Sequence, residues 1–301
     1  MRKLVSILLM LTMLSAGASA QTVGVVLSGG GAKGLAHIGL LKMLEENNIP
    51  VDYICGTSIG AIIGSLYAIG YTPDQMAELL SSDDFLRWSK GEISLEEQYY
   101  YKARFDGAEW LDIDLQRKNK SLEVKLPTSI IAPEQMDFRF MQIYMRAAAN
   151  CGYDFNNLFV PFFCVASDVY DNKPMVFSSG NLAQSVRASM TFPGYFKPLV
   201  VDSVLLFDGG MQNNFPADIM VDKFHPDVII GCTVTENAER PTSDDLYLML
   251  MNVFMKKSEF KIPGIGVLVS PKVSHYGMMD FEKCDEIVEL GIVPAVADWK
   301  K

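Results

Sequence analysis

The residues that decide the architecture run Val51-Asp52-Tyr53-Ile54-Cys55, then Gly56-Thr57-Ser58-Ile59-Gly60, then Ala61-Ile62-Ile63-Gly64-Ser65-Leu66-Tyr67-Ala68. The first five are a short apolar run that reads as a buried strand, and the last eight read as a helix. A strand, a G-x-S-x-G turn and a helix have the layout of a nucleophile elbow. Crowding accounts for the glycines: a serine held on so tight a turn leaves no room for neighbouring Cβ atoms. The same five residues also fit a glycine-rich β–α turn with a capping serine, and the turn alone does not choose between the two.

Working upstream, Val23–Leu27 is another short apolar strand, followed by Ser28-Gly29-Gly30-Gly31-Ala32-Lys33-Gly34. Residues 35–48 have helical spacing, with Leu35, Ile38, Leu41, Met43 and Leu44 largely on one face, and Pro50 ends the helix. A β-α-β-α start implies a parallel sheet with helical crossovers. Gly29, Gly31 and Gly34 satisfy G-x-G-x-x-G, which is also a dinucleotide-binding fingerprint. That fingerprint wants an acid at the end of the second strand. Here Asp52 stands at the start of that strand and the Ser58 turn occupies its end, so the dinucleotide reading is set aside. The other use of this geometry is an oxyanion hole built from amides at a helix N-terminus. Lys33 either adds positive potential there or is a solvated lysine on the first helical turn.

Downstream, Pro73 opens a helix after Thr72. Residues 83–129 are less regular and rich in aromatics (Phe85, Trp88, Tyr99, Tyr100, Tyr101, Phe105, Trp110), with strands expected at 113–115 and 122–126. Residues 85–110 read either as a satellite core or as a lid. A helix at 133–149, strands at 160–166 and 174–177, and a helix at 182–190 follow. A hairpin-like pair at 199–207 then leads into Asp208-Gly209-Gly210. The remaining expectations are a helix at 217–224, a strand at 228–234, a helix at 244–257, a strand at 266–270, and two further helices at 280–290 and 293–299.

The chain has 301 residues, with 26 basic and 36 acidic side chains and a net charge of −10. That balance argues against nucleic acid as a partner. Residues 1–20 start with Arg2 and Lys3, continue in an eleven-residue apolar run from Leu4 to Leu14, and end in Ala18-Ser19-Ala20. This is the layout of a signal peptide cleaved after Ala20, so an exported protein is expected: periplasmic, outer-membrane-associated or secreted. The five cysteines are odd in number and have no metal-ligand spacing. Neither a disulfide framework, a metal nor a cofactor is expected. No composition break marks a linker.

A serine nucleophile needs a base. His37 lies before Ser58; His225 and His275 lie after it, in the order an α/β-hydrolase would use. That fold usually has several strands before its elbow, and only one precedes the elbow strand here. Asp208 instead ends an apolar strand and is followed by two glycines, where an open α/β sheet binds ligands. An aspartate there could take the serine proton directly, or could be a plain hairpin turn.

Taken together, Gly29-Gly30-Gly31-Ala32-Lys33-Gly34, Gly56-Thr57-Ser58-Ile59-Gly60 and Asp208-Gly209-Gly210, in this order and each after a strand, resemble the patatin-like phospholipase family. Residues 186–198 and Asn213-Asn214-Phe215-Pro216 are similar to the segments flanking the family's aspartate. The resemblance covers about residues 23–221, with 222–301 expected to complete the same domain. It implies a three-layer α/β/α sandwich with a mainly parallel central sheet. It implies a lipid acyl hydrolase with Ser58 as nucleophile and Asp208 as base. Gly29, Gly30 and Gly31 are the implied oxyanion donors, and Lys33, Gly34, Gly56, Gly60, Gly209 and Gly210 support the motifs. The implied partners are a phospholipid or other acyl-ester lipid, with peripheral membrane contact. The competing readings are a Ser-His-acid triad using His275 and a catalytically idle lipid-binding module.

Overall fold

The structure is a computed structural model that describes residues 21–92, 114–118, 121–125, 129–237, 244, 249 and 252–298. Strand β1 (Val23–Leu27) is buried along its whole length. A 3-10 turn (Gly31–Leu35) leads into α1 (Ala36–Glu46), and then come β2 (Tyr53–Thr57) and α2 (Ile59–Ala68). All ten residues of α2 are buried, matching its lack of a polar face. Helix α3 (Pro73–Ser81) starts from a capping box between Thr72 and Gln75. Ser82 caps α4 (Asp83–Lys90), which stops at Gly91 in the left-handed region. A hairpin of β3 (Asp114–Lys118) and β4 (Ser121–Lys125), then β5 (Ser129–Ile131) and α5 (Glu134–Asn150), lead to the central strand β6 (Phe162–Asp168). After it come β7 (Lys173–Phe177), α6 (Leu182–Ser189), β8 (Gly194–Phe196), β9 (Leu199–Val201) and β10 (Val204–Asp208). The described chain closes with α7 (Ala217–Phe224), β11 (Val228–Cys232), β12 (Gly266–Val269) and α8 (Cys284–Asp298).

The main sheet has the order β12-β11-β1-β2-β6-β10-β9. It is parallel from β12 through β6 and antiparallel from β6 to β9, while β7 pairs antiparallel with β6. Side chains alternate across it as the pleat requires. Val25, Leu27, Ile54 and Cys164 belong to the larger core with α1, α2, α5, α6 and α8. Val26, Cys55, Phe163 and Val165 pack on the other face against Met220 of α7 and against Phe215. The result is a three-layer α/β/α sandwich around a mainly parallel, mixed sheet.

Two expectations shift. The second strand begins two residues later than expected, because Asp52 serves as a cap: its Oδ2 accepts from the Val23 amide at 2.7 Å. The helices expected at 280–290 and 293–299 are one helix, α8. Gly291, which lies between the two expected helices, is where α8 crosses α1. A Cβ at Gly291 would sit 1.9 Å from the Ala36 carbonyl oxygen, and one at Gly39 would sit 2.1 Å from that of Val288. The glycines bring the two helix backbones together instead of interrupting either. Phe85 and Trp88 are core residues, Phe85 meeting Phe281 edge-on at 5.3 Å. Tyr99, Tyr100, Tyr101, Phe105 and Trp110 lie outside the described residues, as do residues 1–20 and much of the helix expected at 244–257.

Candidate active site

Ser58 follows β2 with φ 57° and ψ −122°, a strained conformation for a residue with a side chain. Its neighbours show why the turn is glycine-flanked. A Cβ on Gly56 would lie 2.2 Å from the Gly60 backbone, and one on Gly60 would lie 2.5 Å from the Leu27 carbonyl oxygen. The Ser58 carbonyl accepts from the amides of Ala61 and Ile62, which opens α2. The Ser58 amide donates to Ser189 Oγ at 3.0 Å, and that hydroxyl donates to the Val165 carbonyl at 2.6 Å. Ser189, fully buried on α6, therefore pins the elbow to β6.

Strand β6 also acts as the ruler that brings Asp208 to Ser58. Its Cys164 to Asp168 stretch pairs with β7, so β2 and β10 must share the opposite edge. Thr57 at the end of β2 is opposite Val165, and Asp208 at the end of β10 is opposite Ala166. The two strands thus meet head to head at consecutive positions of β6. Asp208 is only 2% exposed. Its amide donates to the Thr191 carbonyl, and its own carbonyl accepts from Ser167 Oγ at 2.8 Å. Its Oδ1 accepts from the Gly210 amide at 2.8 Å, and the Ser58 side chain lies within hydrogen-bonding reach of the carboxylate. Burial pushes this carboxyl up to about 6, against the opposing pull of the Ser58 and Gly210 bonds.

The glycine loop departs in one respect from the expectation. The Gly29 amide is engaged by Asn214, through its Oδ1 at 3.2 Å and its carbonyl at 3.3 Å, so it is not free to meet an oxyanion. Gly30 and Gly31 line the cavity beside Ser58, and among the described residues neither amide donates a backbone hydrogen bond to a turn, loop or cap. Ser28 Oγ donates to the Gly29 carbonyl and accepts from the Val234 amide; Thr235 Oγ1 also donates to the Gly29 carbonyl. The Ala32 amide donates to the Met278 carbonyl at 2.8 Å. Beneath the loop, His37 is fully buried, 2.9 Å from the Ser28 carbonyl. Burial lowers it to about 4, so it is neutral at physiological pH and its Nε2–H donates to that carbonyl.

The other sequence candidates fall into place around this centre. Gly34 packs where a Cβ would meet Ile59, and Gly209 where a Cβ would meet the Val165 carbonyl. Lys33 and Gly210 line the cavity. His225 ends α7 in the left-handed region, away from the cavity lining. His275 is exposed, stacks on Tyr276 with ring centroids 4.1 Å apart, and lies on the cavity wall. Reading the sequence did not single out Ser189, Met278 or the role of Asn214; each acts through a partner remote in sequence. The cavity encloses about 650 Å³, with Phe192, Met255 and Phe260 among its apolar lining residues. Among the described residues no group of three or more His, Cys, Asp or Glu could hold a metal ion, and all five cysteines are buried and free.

Comparison with known proteins gives the same segment. A family model described as "Patatin-like phospholipase" matches residues 25–221. The patatin-like phospholipase domain-containing protein ZK370.4 of Caenorhabditis elegans is 29% identical over 309 residues, covering 90% of this chain and 20% of that protein. The patatin-like phospholipase domain-containing protein 6 of Mus musculus is 34% identical over 206 residues, covering 66% of this chain and 12% of that protein. The lysophospholipase NTE1 of Kluyveromyces lactis is 25% identical over 311 residues, covering 91% and 19%. The chain thus spans a fifth or less of the length of these relatives.

Proposed function

This chain belongs to the patatin-like phospholipase family, and from that premise we propose that it hydrolyses acyl esters of lipids with Ser58 as nucleophile and Asp208 as its base. The observation that carries the reading is the head-to-head meeting of β2 and β10 on β6, with the serine hydroxyl in reach of a buried carboxylate. Ser58 Oγ attacks the ester carbonyl carbon as Asp208 accepts its proton. The oxyanion that forms is held by the amides of Gly30 and Gly31. The bond to the alcohol breaks, and Asp208 returns the proton to the leaving oxygen. Water then attacks the acyl-enzyme with Asp208 again as base, which releases the fatty acid and restores Ser58. A carboxyl near 6 is a better base than an ordinary aspartate and is still ionised at neutral pH.

The substrate is a phospholipid, lysophospholipid or other acyl-ester lipid, met by peripheral contact with a membrane. Among the described residues no helix is long and apolar enough to cross one. We further propose that residues 1–20 direct export; removing them should leave the protein in the cytosolic fraction. Ser58→Ala and Asp208→Asn should each lower hydrolysis of a soluble p-nitrophenyl ester at least about a thousandfold. His275 lines the same cavity, which gives a Ser-His-acid alternative a specific footing. His275→Ala decides between them: turnover within a few-fold of wild type supports the dyad, and abolition in folded protein overturns it. Labelling of Ser58 by a fluorophosphonate separates the enzyme from an idle binding module.

A further inference from the structure

The charge of the cavity runs against that of the chain. The protein carries 36 acidic and 26 basic residues. The cavity that holds Ser58 is instead lined by Lys33, Lys256, Lys257 and Lys272, with Asp208 and Glu236 as the acids among the described residues. None of the four lysines is ion-paired among the described residues. Such a concentration of ammonium groups in one concave place focuses positive potential in an otherwise acidic surface.

The lysines are also held in register with the dyad. The Lys256 amide donates to the Met211 carbonyl at 3.0 Å, three residues from Asp208. Two positions on, Ser258 Oγ accepts from the amide of Asn214, the residue whose side chain holds Gly29. Ser258 and Asn237 exchange a further pair of bonds. Lys272 follows β12, on the connection that carries Met278, whose carbonyl takes the Ala32 amide. Lys256, Lys257 and Lys272 all lie beyond the 25–221 segment that the family model matches.

We propose that Lys256, Lys257 and Lys272, together with Lys33, bind the phosphate of a net-anionic lipid headgroup and so select anionic over zwitterionic phospholipids. The inference rests on the acyl-hydrolase reading above. An ammonium is a compact charge suited to phosphate oxygens. The same wall disfavours a choline headgroup, whose quaternary cation meets four like charges and, among the described lining residues, one non-catalytic acid, Glu236, to answer it.

The test uses the full-length chain and diacyl lipids with matched acyl groups, phosphatidylglycerol against phosphatidylcholine, scored as a ratio of kcat/KM. Wild type is expected to favour the anionic lipid on the order of tenfold, the scale that three solvent-exposed charge contacts supply together. The preference should shrink between about 0.05 and 0.5 M salt. The triple variant Lys256→Gln/Lys257→Gln/Lys272→Gln should bring the ratio to about one. Replacement of all three by arginine should keep it. A variant that is merely damaged loses rate on both lipids and leaves the ratio standing, so an unchanged ratio in the glutamine variant overturns the inference. Short-chain lipids below their micelle concentration separate headgroup binding from adsorption to a charged surface: a preference that persists on monomers supports the inference, and one confined to vesicles overturns it. Wild type with no activity on a soluble p-nitrophenyl ester would sink the hydrolase reading itself. Activity there with equal rates on both lipids sinks the headgroup inference alone.

Discussion

Asp208 links the chemistry to the stability of the fold. As the base it must be ionised, and its folded value of about 6 places the rise of kcat/KM there, with a plateau above about pH 7. A pH–rate profile on a soluble ester checks this; a midpoint near 4 would mean that burial does not govern the site. The same shift has a stability consequence of definite sign. The folded carboxyl binds its proton more tightly than the unfolded one, so folding is favoured as pH falls from about 6 towards 3.8 and disfavoured above. The ionised form therefore costs up to about 3 kcal/mol at pH 8. Asp208→Asn should melt a few degrees higher than wild type at pH 8 and gain little at pH 4, while losing its activity. Ser189→Ala tests the support beneath the nucleophile. It leaves the Ser58 amide and Val165 carbonyl without this partner, which should cost about 1–3 kcal/mol of stability and lower kcat about tenfold with KM nearly unchanged.

At the scale of elements, the legible features were those written within a few residues. The elbow, the glycine loop and Asp208-Gly209-Gly210 each announce themselves by a strand and a turn, and α7 falls where its spacing puts it, at Ala217–Phe224. What positions them was not legible, because it depends on register between distant strands. Ser58 meets Ser189 across 131 residues, and Gly29 meets Asn214 across 185, so no local pattern could show that Gly29's amide is already taken. Gly291 illustrates the same limit: it falls between the helices expected at 280–290 and 293–299, whereas packing makes it the crossing point of α8 on α1. Gly291→Leu should therefore force the helices apart, since its Cβ would meet backbone at 1.9 Å and not a side chain that can rotate away. The expected loss is about 3 kcal/mol or more, read by chemical denaturation. A variant as stable as wild type would show that the two helices do not need this contact.

For the whole molecule, the segment matched by the family model does not close the fold. It ends at residue 221, yet β1 lies between β2 and β11, and β11 in turn carries β12. A chain cut after residue 221 would turn β1, buried along its whole length, into an open edge. It would also lose Ile229, Ile230, Val269, Phe281, Ile287 and Val288 from the cores. At roughly 2 kcal/mol for each buried side chain, that is about 12 kcal/mol, comparable with the entire stability of an ordinary domain. Met278, whose carbonyl holds the Ala32 amide beneath the oxyanion loop, goes with them. The truncated chain should accumulate as insoluble protein and give no cooperative melt after refolding, although all three catalytic motifs are intact in it. A soluble 22–221 fragment with a sharp thermal transition would show instead that the sheet tolerates β1 as its edge and that the C-terminal part is an addition to a self-sufficient core.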